Sequence, residues 1–257
     1  YRPVPLTVQV KTFPSKKNVF LFDKSLENEL ERVILEANPN GRPTLVFCSS
    51  RKGAERMAMR LSGAARISAT ASTAARRGGG DFRCSRSELT TCMNGGTAFH
   101  HAGLTPSDRE TVERQFLARN IRVLCATTTL ALGVNLPAYL VVILNYRYYR
   151  GGEYTILTKN DLLQMLGRSG RQGMDDHGVA VIMASEDDEA TLRDFASGSI
   201  VQASCAESRL HESFAEHINA EISLGNITSV STAVDFLRNT FLWIRCEQRP
   251  QHSGLCH

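Results

Sequence analysis

Two arginines three residues apart, each beside a glycine, mark the segment Gln164-Met165-Leu166-Gly167-Arg168-Ser169-Gly170-Arg171-Gln172-Gly173. The glycines let backbone and guanidinium approach a neighbouring group closely, and the planar guanidinium fork matches phosphate oxygens. A basic helix C-terminus resting on its own dipole is the plainer reading of the same residues. A second segment, Ala126-Thr127-Thr128-Thr129-Leu130-Ala131-Leu132-Gly133-Val134-Asn135-Leu136-Pro137, follows an apolar run. Its hydroxyls and its glycine backbone would stand at the C-terminal end of a strand, where open parallel sheets bind ligands. A threonine-capped helix start that stops at Gly133 also accounts for it. A third stretch, Asn145-Tyr146-Arg147-Tyr148-Tyr149-Arg150-Gly151-Gly152-Glu153-Tyr154, sets aromatics and arginines around a Gly-Gly turn. Such a hairpin either stacks on a base, worth about 1–3 kcal/mol per base, or packs on its own domain.

Several features of the chain restrict the chemistry. There is no glycine-rich phosphate loop of the form G-x-x-x-x-G-K-[ST]. Gly78-Gly79-Gly80 is followed by Asp81, not by Lys and Ser or Thr. Asp188-Glu189-Ala190-Thr191 spells an acidic box of the kind that holds Mg²⁺. It follows the arginine segment, however, and Ala184-Ser185-Glu186-Asp187 separate it from its strand. No metal ligand is expected there. Cys48, Cys84, Cys92, Cys125, Cys205, Cys246 and Cys256 form no CxxC pair, which predicts reduced thiols in cytosol or nucleus and no zinc site.

These residues need a scaffold. Hydrophobic residues at 42% and charged residues at 22% of 257 exclude a disordered, collagenous or coiled-coil chain. The net charge of +4 permits a nucleic-acid partner without requiring one. Apolar runs such as Ala138–Leu144 fall far short of the ~20 residues that span a bilayer, so no membrane partner is expected. With Tyr1 at its start and no signal peptide, the chain is expected to be a piece of a longer protein.

The first 22 residues predict two edge strands, one through Val4, Leu6, Val8 and Val10 and one at Val19–Phe22. Apolar spacing predicts helices over Ser25–Ala37, Lys52–Leu61, Thr105–Ala118 and Asp161–Leu166, with a short one at Thr128–Leu132. Between them Thr44–Cys48, Thr97–His100, Val123–Ala126, Leu140–Leu144 and Val179–Met183 read as buried strands. The alternation predicts an α/β fold with a mainly parallel sheet. Residues 62–81, rich in Ala, Ser, Arg and Gly, read as a flexible insertion, with order returning near Glu88. After Ser185 the strands stop, and helices are expected over Glu186–Phe195, Ser208–Ile222 and Ser231–Cys246.

Taken together, the chain resembles the superfamily 2 helicases. Thr44–Arg51 looks like motif IV, Phe99-His100-His101-Ala102-Gly103-Leu104 like motif IVa, Thr127–Pro137 like motif V and Gln164–Arg171 like motif VI, all in family order. His-His-Ala-Gly-Leu and Gly-Val-Asn-Leu-Pro-Ala resemble the Ski-like branch, and residues 217–228 resemble the opening of its winged helix. Within the branch, Arg42–Cys48 with Arg51-Lys52-Gly53 looks most like the meiotic DNA helicases. Residues 62–87 depart from the family pattern, and Ser169 stands where the family usually has Ala.

The resemblance implies a RecA-like α/β domain over residues 1–197, with a flexible insertion at about 62–87. The start of a truncated, all-helical winged-helix unit would follow over 198–257. It implies an ATP-dependent 3′–5′ DNA helicase of meiotic recombination, working in the nucleus on single-stranded or branched DNA. RNA is the alternative substrate of the branch, and a non-catalytic binding module is the alternative class. ATP and Mg²⁺ would be held mainly by a first RecA-like domain of the same protein, leaving this chain inactive alone. Arg171 then matches the arginine finger, with Arg168 beside it, and Gln164 places water or couples the domains. Gly133 and Asn135 would lie near the nucleotide. Ser49, Arg51, His101, Gly103 and Thr127 would line the single-strand groove, and Tyr148 and Tyr149 would belong to a strand-separating hairpin. For His100, ordinary packing at the strand end is the expectation.

Overall fold

The computed structural model describes residues 4–64, 82, 84–128, 130, 134–150, 153–170, 173–198 and 210–248. In chain order its strands are β1 (Leu6–Phe13), β2 (Thr44–Cys48), β3 (Thr97–His100), β4 (Val123–Thr127), β5 (Leu140–Ile143), β6 (Arg147–Arg150), β7 (Glu153–Ile156) and β8 (Gly178–Ser185). Six of them form one sheet in the order β1-β8-β5-β2-β4-β3, and β6 and β7 form a separate antiparallel hairpin. Every pairing in the large sheet is parallel. β2, β4 and β5 are buried at every residue, as strands with neighbours on both edges and helical connections over them must be. Those connections are α1 (Val19–Ala37), α2 (Arg51–Ser62), α3 (Ser87–Asn94), α4 (Pro106–Leu117) and α5 (Lys159–Leu166), and α6 (Glu189–Gly198) follows β8.

The predicted strand at Val19–Phe22 is instead the first turn of α1. Asn18 caps it, its side chain accepting the Phe20 amide at 2.8 Å. Phe22 then continues the buried stripe of Leu26, Leu30, Val33 and Ile34, while Phe20 and Leu21 stay exposed. Four apolar residues in a row suit either element; the helical spacing downstream decides. At the far end Asn38 is buried and holds the turn into β2. Its amide donates to Arg42 O at 2.7 Å and to Thr44 Oγ1 at 3.1 Å, and its oxygen accepts the Arg42 amide at 3.1 Å. Gly41, at φ +59°, supplies the left-handed step that this turn needs. For α4, Thr105 is the cap, accepting the Asp108 amide at 3.1 Å, with Pro106 in the first turn.

The chain divides into two units, Tyr1–Gly198 and Ser199–His257. In the second, α7 (Phe214–Ser223), α8 (Val230–Arg238) and α9 (Phe241–Gln248) are described. The single helix expected over Ser231–Cys246 is two. Asn239 closes α8 through its own amide, and Thr240 Oγ1 accepts the Trp243 amide at 3.3 Å to open α9. Residues 65–81 of the expected insertion lie outside the described residues.

Candidate functional site

The parallel register gathers the C-terminal ends of four strands. Cys48 stands beside Thr127, Phe47 beside Ile143, and His100 beside Ala126. Ser49–Arg51, His101–Gly103, Thr127 and Asn145 therefore emerge along one sheet edge. The Ser49 amide donates to Asn145 Oδ1 at 3.3 Å. Ser50 caps α2 by accepting the Gly53 amide at 3.0 Å, which makes Arg51 the first helical residue. The Arg51 guanidinium lies against Gly103: a Cβ on that glycine would sit 3.2 Å from it and 3.1 Å from His101 Nδ1. Arg51 and Gly103 are exposed, and Thr127 is buried at the end of β4.

His101 is only 2% exposed, so it stands behind this surface and not on it. Its Nδ1 accepts the Gly103 amide at 3.1 Å, which requires that nitrogen to be bare. The ring proton is therefore on Nε2, donated to Glu55 at 3.0 Å. Glu55 also pairs with Arg86, whose guanidinium lies 5.3 Å over Phe99, and the Phe99 ring stacks on His101. Burial lowers the His101 pKa, against the opposing pull of Glu55. The neutral ring thus shapes the Gly103 loop from beneath. Neighbouring His100 is buried and paired with Glu113 at 2.8 Å, as a packing residue.

The arginine segment begins on α5. Thr158 and Asp161 form a capping box that starts the helix, Gln164 is exposed along it, and Gly167 ends it. Arg168, half-buried, comes next. Its carbonyl accepts the Ala138 amide at 2.9 Å, and the Gly170 amide donates to the Ala138 carbonyl at 2.7 Å. These two bonds join the end of the Thr127–Pro137 segment to the arginine segment by backbone alone. Ser169 is buried, its hydroxyl 2.9 Å from Val179 O and 3.1 Å from Tyr139 O. Two glycines permit the approach. Gly170 sits at φ +86° with Val4 where a Cβ would be, and a Cβ on Gly178 would fall 2.6 Å from the Ser169 hydroxyl. Asn135 is exposed, whereas Gly133 and Arg171 lie outside the described residues.

In the hairpin, Tyr149 pairs with Tyr154 and Arg150 with Glu153. Tyr148 packs against the core and Tyr154 is half exposed. Gly151 and Gly152, and the side chains of Tyr149 and Arg150, are outside the described residues. Glu55, Arg86 and Asn145 were not legible beside these motifs, because each contacts a segment distant in sequence: Glu55 reaches His101 across 46 positions. Among the described residues no three His, Cys, Asp or Glu side chains converge as metal ligands, and no helix is long and apolar enough to cross a membrane.

This edge, with its joined segments on a parallel sheet, defines a RecA-like helicase domain. Residues 82–173 match the helicase conserved C-terminal domain, and residues 207–257 match a winged helix-turn-helix domain. The two matches make the chain similar to a helicase C-terminal domain followed by a winged-helix segment, in line with the RecA-like parallel sheet. It is 39% identical over 256 residues to the human probable ATP-dependent DNA helicase HFM1, covering 99% of this chain and 18% of that protein. It is 38% identical over 255 residues to the ATP-dependent DNA helicase MER3 of Saccharomyces cerevisiae, covering 97% of this chain and 20% of the relative. To the U5 small nuclear ribonucleoprotein 200 kDa helicase of Caenorhabditis elegans it is 34% identical over 267 residues, covering 100% of this chain and 12% of the relative. The chain thus spans about a fifth or less of the length of these curated relatives.

Proposed function

We propose that the chain is the C-terminal motor half of an ATP-dependent 3′–5′ DNA helicase. Residues 1–197 form its second RecA-like domain and residues 198–257 the start of its winged helix. ATP is bound between this unit and a first RecA-like domain of the same protein, which mainly holds Mg²⁺ and the phosphates, so the chain alone turns over no ATP. Arg171 is the arginine finger, Arg168 lies beside it, and Gln164 places the attacking water or couples the domains. Gly133 and Asn135 lie near the nucleotide. A finger neutralises charge that spreads over the transferring phosphoryl group in the transition state.

The observation that supports this reading best is the backbone ladder between Ala138 and the Arg168–Gly170 turn. A displacement of the arginines during hydrolysis reaches the Thr127–Pro137 segment without passing through flexible side chains, as a motor needs. Ser49, Arg51, Gly103 and Thr127 contact the tracking strand, His101 acts through Gly103, and the β6–β7 hairpin with Tyr148 and Tyr149 parts the duplex. Relatives named as DNA helicases support DNA over RNA. The resemblance of residues 42–53 supports a role in meiotic recombination in the nucleus.

The test is Arg171→Ala in the full-length protein. ATP turnover falls by a factor of about a thousand, while strand binding without ATP changes little. Lys at the same position rescues poorly, because a point charge does not reproduce the planar fork. Thr127→Val does the reverse, weakening strand binding first. Intact turnover with lost strand binding in Arg171→Ala would make this segment a phosphate-backbone clamp and the motor assignment wrong.

A further inference from the structure

Asp188 lies in the acidic run that spells a metal-holding box in the wrong place, and its partners give it different work. Its Oδ2 accepts the Tyr146 phenol at 2.6 Å and Nε of Arg147 at 3.0 Å, and a terminal nitrogen of the same guanidinium completes the ion pair. Tyr146 is 1% exposed, and its oxygen accepts the amide of Ser185, the last residue of β8, at 3.2 Å. The Arg147 guanidinium also lies 5.2 Å over the Tyr146 ring. On the other side, Asn145 accepts the Ser49 amide at 3.3 Å. The Leu157 amide donates to Tyr146 O at 2.8 Å and closes the hairpin at its base. Three consecutive residues leaving β5 are therefore held by the β2–α2 turn and by the end of β8 with the turn that follows it.

A hairpin of two short strands is marginal alone, so its direction is set at the root. At this root Asp188 is the acceptor shared by both side chains that begin the hairpin. We propose that Asp188 is a positioning residue for strand separation, locking the β6–β7 hairpin to the sheet edge so that the advance of the motor drives it into the duplex junction. This rests on the reading of the hairpin as the strand separator. Asp188 touches neither nucleotide nor strand in this role; it acts through Tyr146 and Arg147.

The experiment uses the full-length protein and a duplex with a 3′ single-stranded tail, and reads unwinding rate, strand-stimulated ATP turnover and KM for single strand. Asp188→Asn keeps the shape and removes the charge; Asp188→Ala removes all three contacts to Tyr146 and Arg147. Unwinding should fall about tenfold or more, the scale of losing a hydrogen bond to a charged group. ATP turnover and KM for strand should stay unchanged, and Asp188→Glu should recover part of the unwinding. Replacing residues 148–155 by a short Gly-Ser turn tests the underlying reading. If that replacement abolishes unwinding while both Asp188→Asn and Asp188→Ala unwind at the normal rate, the positioning role is overturned and the separator reading stands. If the replacement leaves unwinding intact, the separator reading fails and the inference with it. If Asp188→Asn lowers ATP turnover and unwinding together, Asp188 is general support for the domain and the proposal is wrong.

Discussion

His101 has both ring nitrogens engaged, one by the Gly103 amide and the other by Glu55. Protonating Nδ1 would aim a hydrogen at the Gly103 N–H and break the bond that shapes the groove loop. Burial lowers the pKa of His101 and of His100 from 6.5, outweighing Glu55 and Glu113. The unfolded chain therefore binds more protons than the folded one just below pH 6.5. The stability these rings contribute is full above about pH 6.5 and is lost as pH falls through the folded values. Following the imidazole C2–H resonances should give midpoints below 6.5 for both residues, with the melting temperature falling over the same window. A midpoint at or above 6.5 for His101 would mean that the Glu55 pair outweighs burial. Ser169 is a simpler case: its hydroxyl is within hydrogen-bonding distance of two carbonyls, so standing where the family usually has Ala costs the segment little.

α5 is short, and the capping box at Thr158 and Asp161 supports an N-terminus that would otherwise fray. Thr158→Ala should cost about 1 kcal/mol of stability, read from the urea midpoint. Because Gln164 and Arg168 ride on this helix and its end, ATP turnover of the full-length protein should suffer more than strand binding. Equal loss of both would detach α5 from the nucleotide side. The same local chemistry explains which elements were legible. The buried strands were, since Thr44–Cys48 and its parallel neighbours are short apolar runs between helical periods. The start of α1 was not, because Val19–Phe22 fits either period until Asn18 is seen to cap it. The break at Asn239-Thr240 was missed because apolar residues continue on both sides of it.

For the molecule as a whole, the net charge is a mild +4, and exposed Arg51 meets the Gly103 backbone at the sheet edge proposed for the strand. With three or four phosphates engaged there, log K for single strands should fall with log[salt] at a slope of about −2 to −3. Binding should also be indifferent to sequence, since backbone contacts carry no base readout. Titrations at several salt concentrations on unrelated oligonucleotides check both points. A salt-independent affinity, or a strong preference for one sequence, would move the strand off this edge.

Type and spacing along the chain were enough for the α/β class and its buried parallel strands, while the order of the four motifs and a hairpin in residues 145–154, which stands at Arg147–Ile156, came with the family resemblance. Each of these is a local property, carried by apolar period, turn residues or a contiguous motif. Folding decided which side of each motif residue faces outward. His101 lies behind the groove because Glu55 and Phe99 draw it inward, and Asp188 holds the hairpin because β8 ends beside Tyr146. Ala138 meets Arg168 and Gly170 only once the chain has folded back through the hairpin and α5. Such pairings join residues tens of positions apart, and no local pattern encodes them, because a parallel sheet sets its neighbours by crossover and register and not by proximity along the chain.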